Sequence, residues 1–156
     1  MLKLSRITDY GIVLMAHLAR APSATTRNAR EVAAETRLPT PVVSKVLKML
    51  ARQGLLLSHR GVKGGYTLAR PADQIPVSEM ITALEGPIGL TECTVHPGVC
   101  PQELSCNVRD PWQRINDVVR VALSEVSLAD LAGPDSPGTT LPLASPGFDG
   151  VELTER

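Results

Sequence analysis

All three cysteines of the chain, Cys93, Cys100 and Cys106, fall within fourteen residues at the spacing C-x6-C-x5-C. Cysteines that merely fill a core have no reason to gather at one point of a sequence, so the cluster reads as a ligand set or a redox device. An odd number leaves one thiol over in any intramolecular pairing. The spacing is also too wide for the C-x2-C pairs of an ordinary zinc ribbon. His96 lies inside the same stretch, beside Pro97. Two chemistries stay open: thiolates holding a metal centre, or thiols that are themselves oxidised. Catalysis has little support, because no histidine is placed as the base of a nucleophilic cysteine and no phosphate-cradling glycine motif occurs.

The chain of 156 residues is long enough for one compact domain, or a small domain with an appended helix and tail. Its net charge of zero conceals an asymmetry. Residues 1–71 carry twelve Lys or Arg against three acids, a net +9, and residues 72–156 carry four against thirteen, a net −9. Such a split suggests a half that binds a polyanion joined to a half with another task. No apolar run reaches the length of a membrane span and the N-terminus lacks a signal pattern, so a cytoplasmic location with reduced, available thiols is expected, and no membrane partner.

The elements before the cysteines follow from periodicity and caps. A first helix covers Thr8 to Ala19, with Tyr10, Val13, Leu14 and Leu18 at helical spacing. Asn28, with Glu31 three residues on, is a capping box that opens a short second helix ending before Leu38-Pro39. Thr40-Pro41 reads as a hydroxyl cap and an early proline opening a third helix. Its apolar stripe is Val43, Val46, Leu47 and Leu50; Lys45, Lys48 and Arg52 fall on the other face beside Ser44, and Gly54 follows the end. Two short strands, Leu55 to Arg60 and Tyr66 to Leu68, flank a glycine-rich cationic tip and predict a β-hairpin.

Helix, short helix, turn, cationic helix and basic hairpin is the order of a winged helix-turn-helix. The predicted class is therefore mainly α with a small β-hairpin wing, and the predicted partner is double-stranded DNA. Thr40, Ser44, Lys45 and Lys48 are placed to reach base edges and phosphates in the major groove. Arg60 and Lys63, between glycines, are placed to meet the minor groove. A fourth helix runs from Pro76 to a stop at Gly86, which closes a DNA-binding domain over residues 1–86. The cysteine-bearing loop occupies residues 87–110.

Asp110-Pro111 then repeats the cap-plus-proline signal and predicts a long helix within residues 111–132. Trp112, Ile115, Val119, Ala122 and Val126 are spaced 3, 4, 3, 4, a heptad-type seam. A small domain offers such a seam little to pack on, so it is read as a homodimer interface that sets two recognition helices on successive turns of a palindromic operator. Ser127 to Leu131 forms a further capped turn. Residues 133–156, with four Gly, four Pro and one aromatic, are expected to be a disordered tail.

Three features together resemble one family: the opening Leu2-Lys3-Leu4-Ser5-Arg6-Ile7-Thr8-Asp9-Tyr10, the segment Arg60-Gly61-Val62-Lys63-Gly64-Gly65-Tyr66, and three cysteines ahead of a long helix. The chain is similar over residues 1–132 to the winged-helix iron–sulfur transcriptional regulators of the IscR/NsrR/RirA-like family, most closely to those of the SUF cluster-assembly operon. The resemblance implies that Cys93, Cys100 and Cys106 ligate an iron–sulfur cluster, [2Fe-2S] or [4Fe-4S], whose occupancy changes operator affinity. It implies a repressor of cluster-assembly genes that senses cluster status, iron, oxygen or nitric oxide. IscR-like members carry a histidine three residues after the last cysteine, where this chain has Arg109. A guanidinium only donates, so it cannot replace imidazole. Asp9 matches the position from which NsrR-like members supply an aspartate across the dimer, and it also suits the first turn of a helix. His96 is the alternative ligand, and the partner subunit's Asp9 is preferred. The rival readings are a thiol-based redox repressor without a cluster and a metal-binding adaptor for RNA or protein.

Overall fold

The structure is a computed structural model, and it describes residues 4–22 and 25–133. Ser5 caps α1 (Arg6–Arg20), its side chain accepting from Thr8 N–H. Of the predicted apolar positions of α1, Leu14 and Leu18 are buried, with Met15 beside them, while Val13 is exposed. Asn28 caps α2 (Ala29–Thr36), and the capping box with Glu31 forms as its spacing predicts. Arg37 closes α2 in the left-handed region, at φ 56°. α3 (Thr40–Arg52) starts one residue earlier than its proline pattern predicts. Pro39 is the cap and makes no side-chain cap bond, so Thr40 is the first helical residue rather than the cap. Val43, Val46, Leu47 and Leu50 are all fully buried.

The strands β1 (Leu56–His59) and β2 (Gly65–Leu68) pair antiparallel, with Leu56 opposite Leu68 and His59 opposite Gly65. A short 3-10 turn over Ala72–Gln74, with no sequence signal of its own, brings the fully buried Ile75 into the core. α4 (Val77–Glu85) ends at Gly86, whose φ of 94° suits glycine. The stretch that follows is a loop interrupted by α5 (Glu92–Val95) and a 3-10 turn at Glu103–Ser105. α6 (Arg109–Glu125) and α7 (Leu128–Ala132) complete the fold.

The core is one cluster. α1 is its centre, packing on α3, α4 and α7, while α6 packs chiefly on α4. The final helix returns to the start of the chain: Leu128 is fully buried, and Arg20 Nε donates to Ala132 O at 2.9 Å.

Three expectations about the C-terminal part change. Asp110 is not the cap of α6. Val108 is, without a side-chain bond, and Asp110 lies in the first turn, where its charge complements the helix dipole. The helix ends at Glu125, short of residue 132 that bounds the predicted dimerisation segment, and the capped turn predicted at Ser127 forms as α7. Val126 turns into extended backbone because its carbonyl accepts from Val77 N–H at 2.8 Å, and Ser127 then caps α7. Val126 consequently packs against the core rather than continuing the seam. The tail that composition reads as disordered lies, from residue 134 on, outside the described residues.

One electrostatic joint holds the start of α1 to the end of α4. Hydrogen bonds from the Thr8 hydroxyl and the Ser5 backbone, the latter at 2.6 Å, lower the Glu85 carboxyl below its ordinary value of 4.5. A depressed carboxylate stabilises the fold above the unfolded-state value and loses that contribution as pH falls through the folded one. Glu85→Gln therefore lowers the urea midpoint at neutral pH, and the gap from wild type closes as pH falls from the ordinary carboxylate range through the lowered Glu85 value. Urea titrations monitored by far-ultraviolet circular dichroism across that range check this. A gap that is constant with pH would contradict it.

Candidate nucleic-acid interface and cysteine loop

The apolar stripe of α3 is spent on the core, which leaves its other face in water. Thr40, Pro41, Lys45, Lys48 and Arg52 are exposed, and Ser44 is half-buried. Pro41, Ser44, Lys45, Lys48, Met49 and Arg52 line one shallow concavity. Arg52 belongs to this surface one turn beyond the residues assigned to DNA contact. Its position opposite the stripe is the sequence signal that marks it.

The wing is built from its glycines. Gly61, at φ 108°, turns the tip, and Gly64 N–H donates back to Gly61 O at 2.9 Å. Arg60, Val62 and Lys63 stand exposed at that tip. Gly65 sits where a Cβ would collide with Arg27 O, so only glycine lets the wing approach the chain ahead of α2. There Arg27 and Tyr66 exchange two backbone hydrogen bonds, at 3.1 and 2.9 Å. The Arg27 guanidinium meets Glu35 Oε1 at 2.9 Å, and His17 Nε2 meets Glu35 Oε2 at 2.6 Å. A His17–Glu35–Arg27 network therefore couples α1, α2 and the wing root. These residues lie far apart in sequence, so spacing offers no signal for it.

The cysteine loop is a chain of short turns. Thr91 caps α5 in a reciprocal bond pattern with Thr94, and its hydroxyl lies 3.2 Å from Cys93 Sγ. His96 ends α5 and is exposed. Gly98, at φ 87°, reverses the chain towards Cys100. Cys106 closes the 3-10 turn. All three thiols are free and half-buried. Glu103, with a side chain only 9% exposed, binds two parts of the loop together: Oε2 accepts from Gly98 N–H at 2.5 Å, and Oε1 meets Arg109 Nη2 at 2.9 Å. The residue at the family's histidine position is thus the counter-ion of a loop carboxylate. The start of the loop is fastened to α6, where Leu90 N–H donates to Asn116 Oδ1 at 3.1 Å.

The donor set suits an iron–sulfur cluster, since three free thiols on one segment are its usual ligands. A preformed cage is not what the chain holds. Among the described residues no three His, Cys, Asp or Glu side chains gather as a metal site. Asp9 is exposed on the first turn of α1, and neither it nor His96 joins the cysteines in such a group.

Trp112, Ile115 and Ala122 are exposed along α6 and Val119 is half-buried, with Val118 and Val121 adding further exposed apolar surface. This face is wider than the heptad seam, because α6 buries Asn116 rather than its seam against the body. No helix among the described residues is long and apolar enough to cross a membrane.

An apolar-backed cationic helix beside a glycine-built basic wing defines a winged helix-turn-helix DNA-binding protein. Residues 4–134 match the model of the family described as Rrf2, iron-dependent transcriptional regulator. The chain belongs to the Rrf2 family of transcriptional regulators. It is 30% identical to the HTH-type transcriptional regulator CymR of Bacillus subtilis over 131 residues, covering 84% of this chain and 90% of that protein. The solved structure of CymR, the global cysteine regulator of B. subtilis, superposes with a TM-score of 0.67 at 32% identity, covering 85% of this chain and 97% of that one. IscR of T. potens superposes with a TM-score of 0.63 at 26% identity, covering 83% and 85%.

Proposed function

We propose that the protein is a homodimeric transcriptional repressor that acts in the cytoplasm and senses the state of an iron–sulfur cluster held by Cys93, Cys100 and Cys106. Its targets are iron–sulfur assembly genes. The observation that carries the reading is the placement of three free, half-buried thiols on one loop between α4, which packs on the DNA-binding helices α1 and α3, and α6, which presents an apolar face. The thiolates would ligate the cluster, and a bound cluster supplies reactivity towards oxygen, nitric oxide and iron loss. Gathering the thiols requires the short turns between them to rearrange. The Glu103–Arg109 pair then passes that change to the first turn of the dimer helix, and so to the spacing of the two recognition helices. Asp9 from the partner subunit is the proposed fourth ligand, with His96 the alternative.

A second reading keeps the repressor and replaces the cluster by direct thiol oxidation. The absence of a preformed three-ligand site among the described residues favours it. Anaerobic purification separates the two. The cluster reading expects a brown protein with iron, acid-labile sulfide and absorbance between about 300 and 450 nm, all lost when the three cysteines become serine. A colourless wild-type protein whose DNA binding responds to peroxide would replace it with the thiol switch.

A further inference from the structure

Among the described residues, Asn116 is the one buried side chain that α6 places against the rest of the chain, at 1% exposure, and it is polar. Its orientation is fixed by chemistry: Leu90 N–H can only donate, so the amide oxygen must face it, and Oδ1 does at 3.1 Å. Nδ2 is left with two donors, buried, and no partner among the described residues. A buried donor left without an acceptor loses its hydration for nothing in return, a cost that an apolar residue of the same size does not carry. The bond to Leu90 explains the oxygen but not the amine.

The segment that Asn116 fastens through Leu90 leads directly into the cysteine loop. Leu90 is three residues ahead of Cys93, α5 packs on α6, and the Thr91 hydroxyl is already 3.2 Å from Cys93 Sγ. Sulfur in a cluster, whether thiolate or sulfide, carries negative charge and accepts N–H donors. Such bonds raise the reduction potential by stabilising the more negative, reduced form. We propose that Asn116 is a positioning residue for the sensor. Its Oδ1 sets the start of the loop, and its Nδ2 donates to sulfur at the Cys93 end of a cluster held by the three cysteines. This rests on the cluster reading. Asn116 ligates nothing itself; it sets the potential at which the sensor changes state.

The test uses the full chain, purified anaerobically, with asparagine labelled with ¹⁵N and the cluster reduced to a paramagnetic state. Only Asn28, Asn107 and Asn116 carry that label. Pulsed electron paramagnetic resonance is expected to show a ¹⁵N coupling that Asn116→Asp removes, since aspartate keeps the acceptor for Leu90 and lacks the donors. The reduction potential is expected to move negative in both Asn116→Asp and the uncharged Asn116→Leu, with iron and sulfide content retained in both. A wild-type cluster whose coupling survives in both variants, or a potential that moves only in the charged one, overturns the role of Asn116 and leaves the cluster reading intact. A wild-type protein that takes up no iron and sulfide overturns the cluster reading itself, and this inference with it.

Discussion

Replacing Lys48 and Arg60 together by alanine is expected to lower affinity roughly a hundred-fold for a duplex that the wild-type protein selects from a random pool, without unfolding the protein. Lys48 is exposed on α3 and Arg60 is exposed beside the wing tip, and neither side chain is part of the core. Their loss therefore removes charge from the proposed DNA-facing surface without disturbing the packing. Removing one cation from a phosphate also takes about one unit off the slope of log affinity against log salt, so the double variant flattens that slope by roughly two. Arg70→Ala is the control. Arg70 carries the same charge but is neutralised by Glu79 at 2.6 Å, so its loss leaves affinity and slope unchanged. Fluorescence anisotropy over a salt series measures all three. A double variant with wild-type affinity would disprove the assigned interface, and equal losses in the control would reduce the effect to net charge.

Ile115→Asp/Val118→Asp is expected to convert the proposed dimer to a monomer and to weaken operator binding on the order of 10²-fold or more. Both side chains are about half-exposed on the open face of α6, so two carboxylates there cost the isolated fold little, while a symmetric apolar interface would have to bury them unpaired. The loss of affinity follows from linkage of the two half-sites. In a dimer the second recognition helix binds at the effective concentration set by the first, and in a monomer that advantage disappears. Sedimentation velocity reads the mass and circular dichroism the fold. A variant that stays folded and dimeric would move the interface elsewhere. A variant that is monomeric yet binds with wild-type affinity would remove the role of dimerisation in recognition.

Much of the DNA-binding half is legible locally, because its signals act over one or two turns. Asn28 with Glu31 makes a capping box whatever surrounds it, and the stripe Val43, Val46, Leu47 and Leu50 has one face to bury wherever α3 docks. The wing needs Gly61 for a backbone that other residues rarely adopt, so its glycines announce it. The C-terminal half departs from its sequence pattern where the competing force comes from a distant segment. A heptad pattern continues through Val126, yet the helix stops at Glu125 because Val77 N–H takes the Val126 carbonyl. No short window of sequence contains both residues.

The same division runs through the cysteine loop. Which atoms could hold a metal is a property of residue type, and C-x6-C-x5-C states it without any fold. Cys93, Cys100 and Cys106 are therefore visible in the sequence alone, and so is the inability of Arg109 to act as a ligand. What those atoms touch is a property of packing. Thr91 on Cys93 and Glu103 between Gly98 and Arg109 are nearly local, but Asn116 holding Leu90 from 26 residues away exists only once α6 lies against the loop. Local sequence settles an element's type, its caps and its chemistry, because those energies are short-ranged. Tertiary contact settles where an element ends and which polar groups are left without a partner, because a hydrogen bond takes whichever acceptor the finished fold brings within reach.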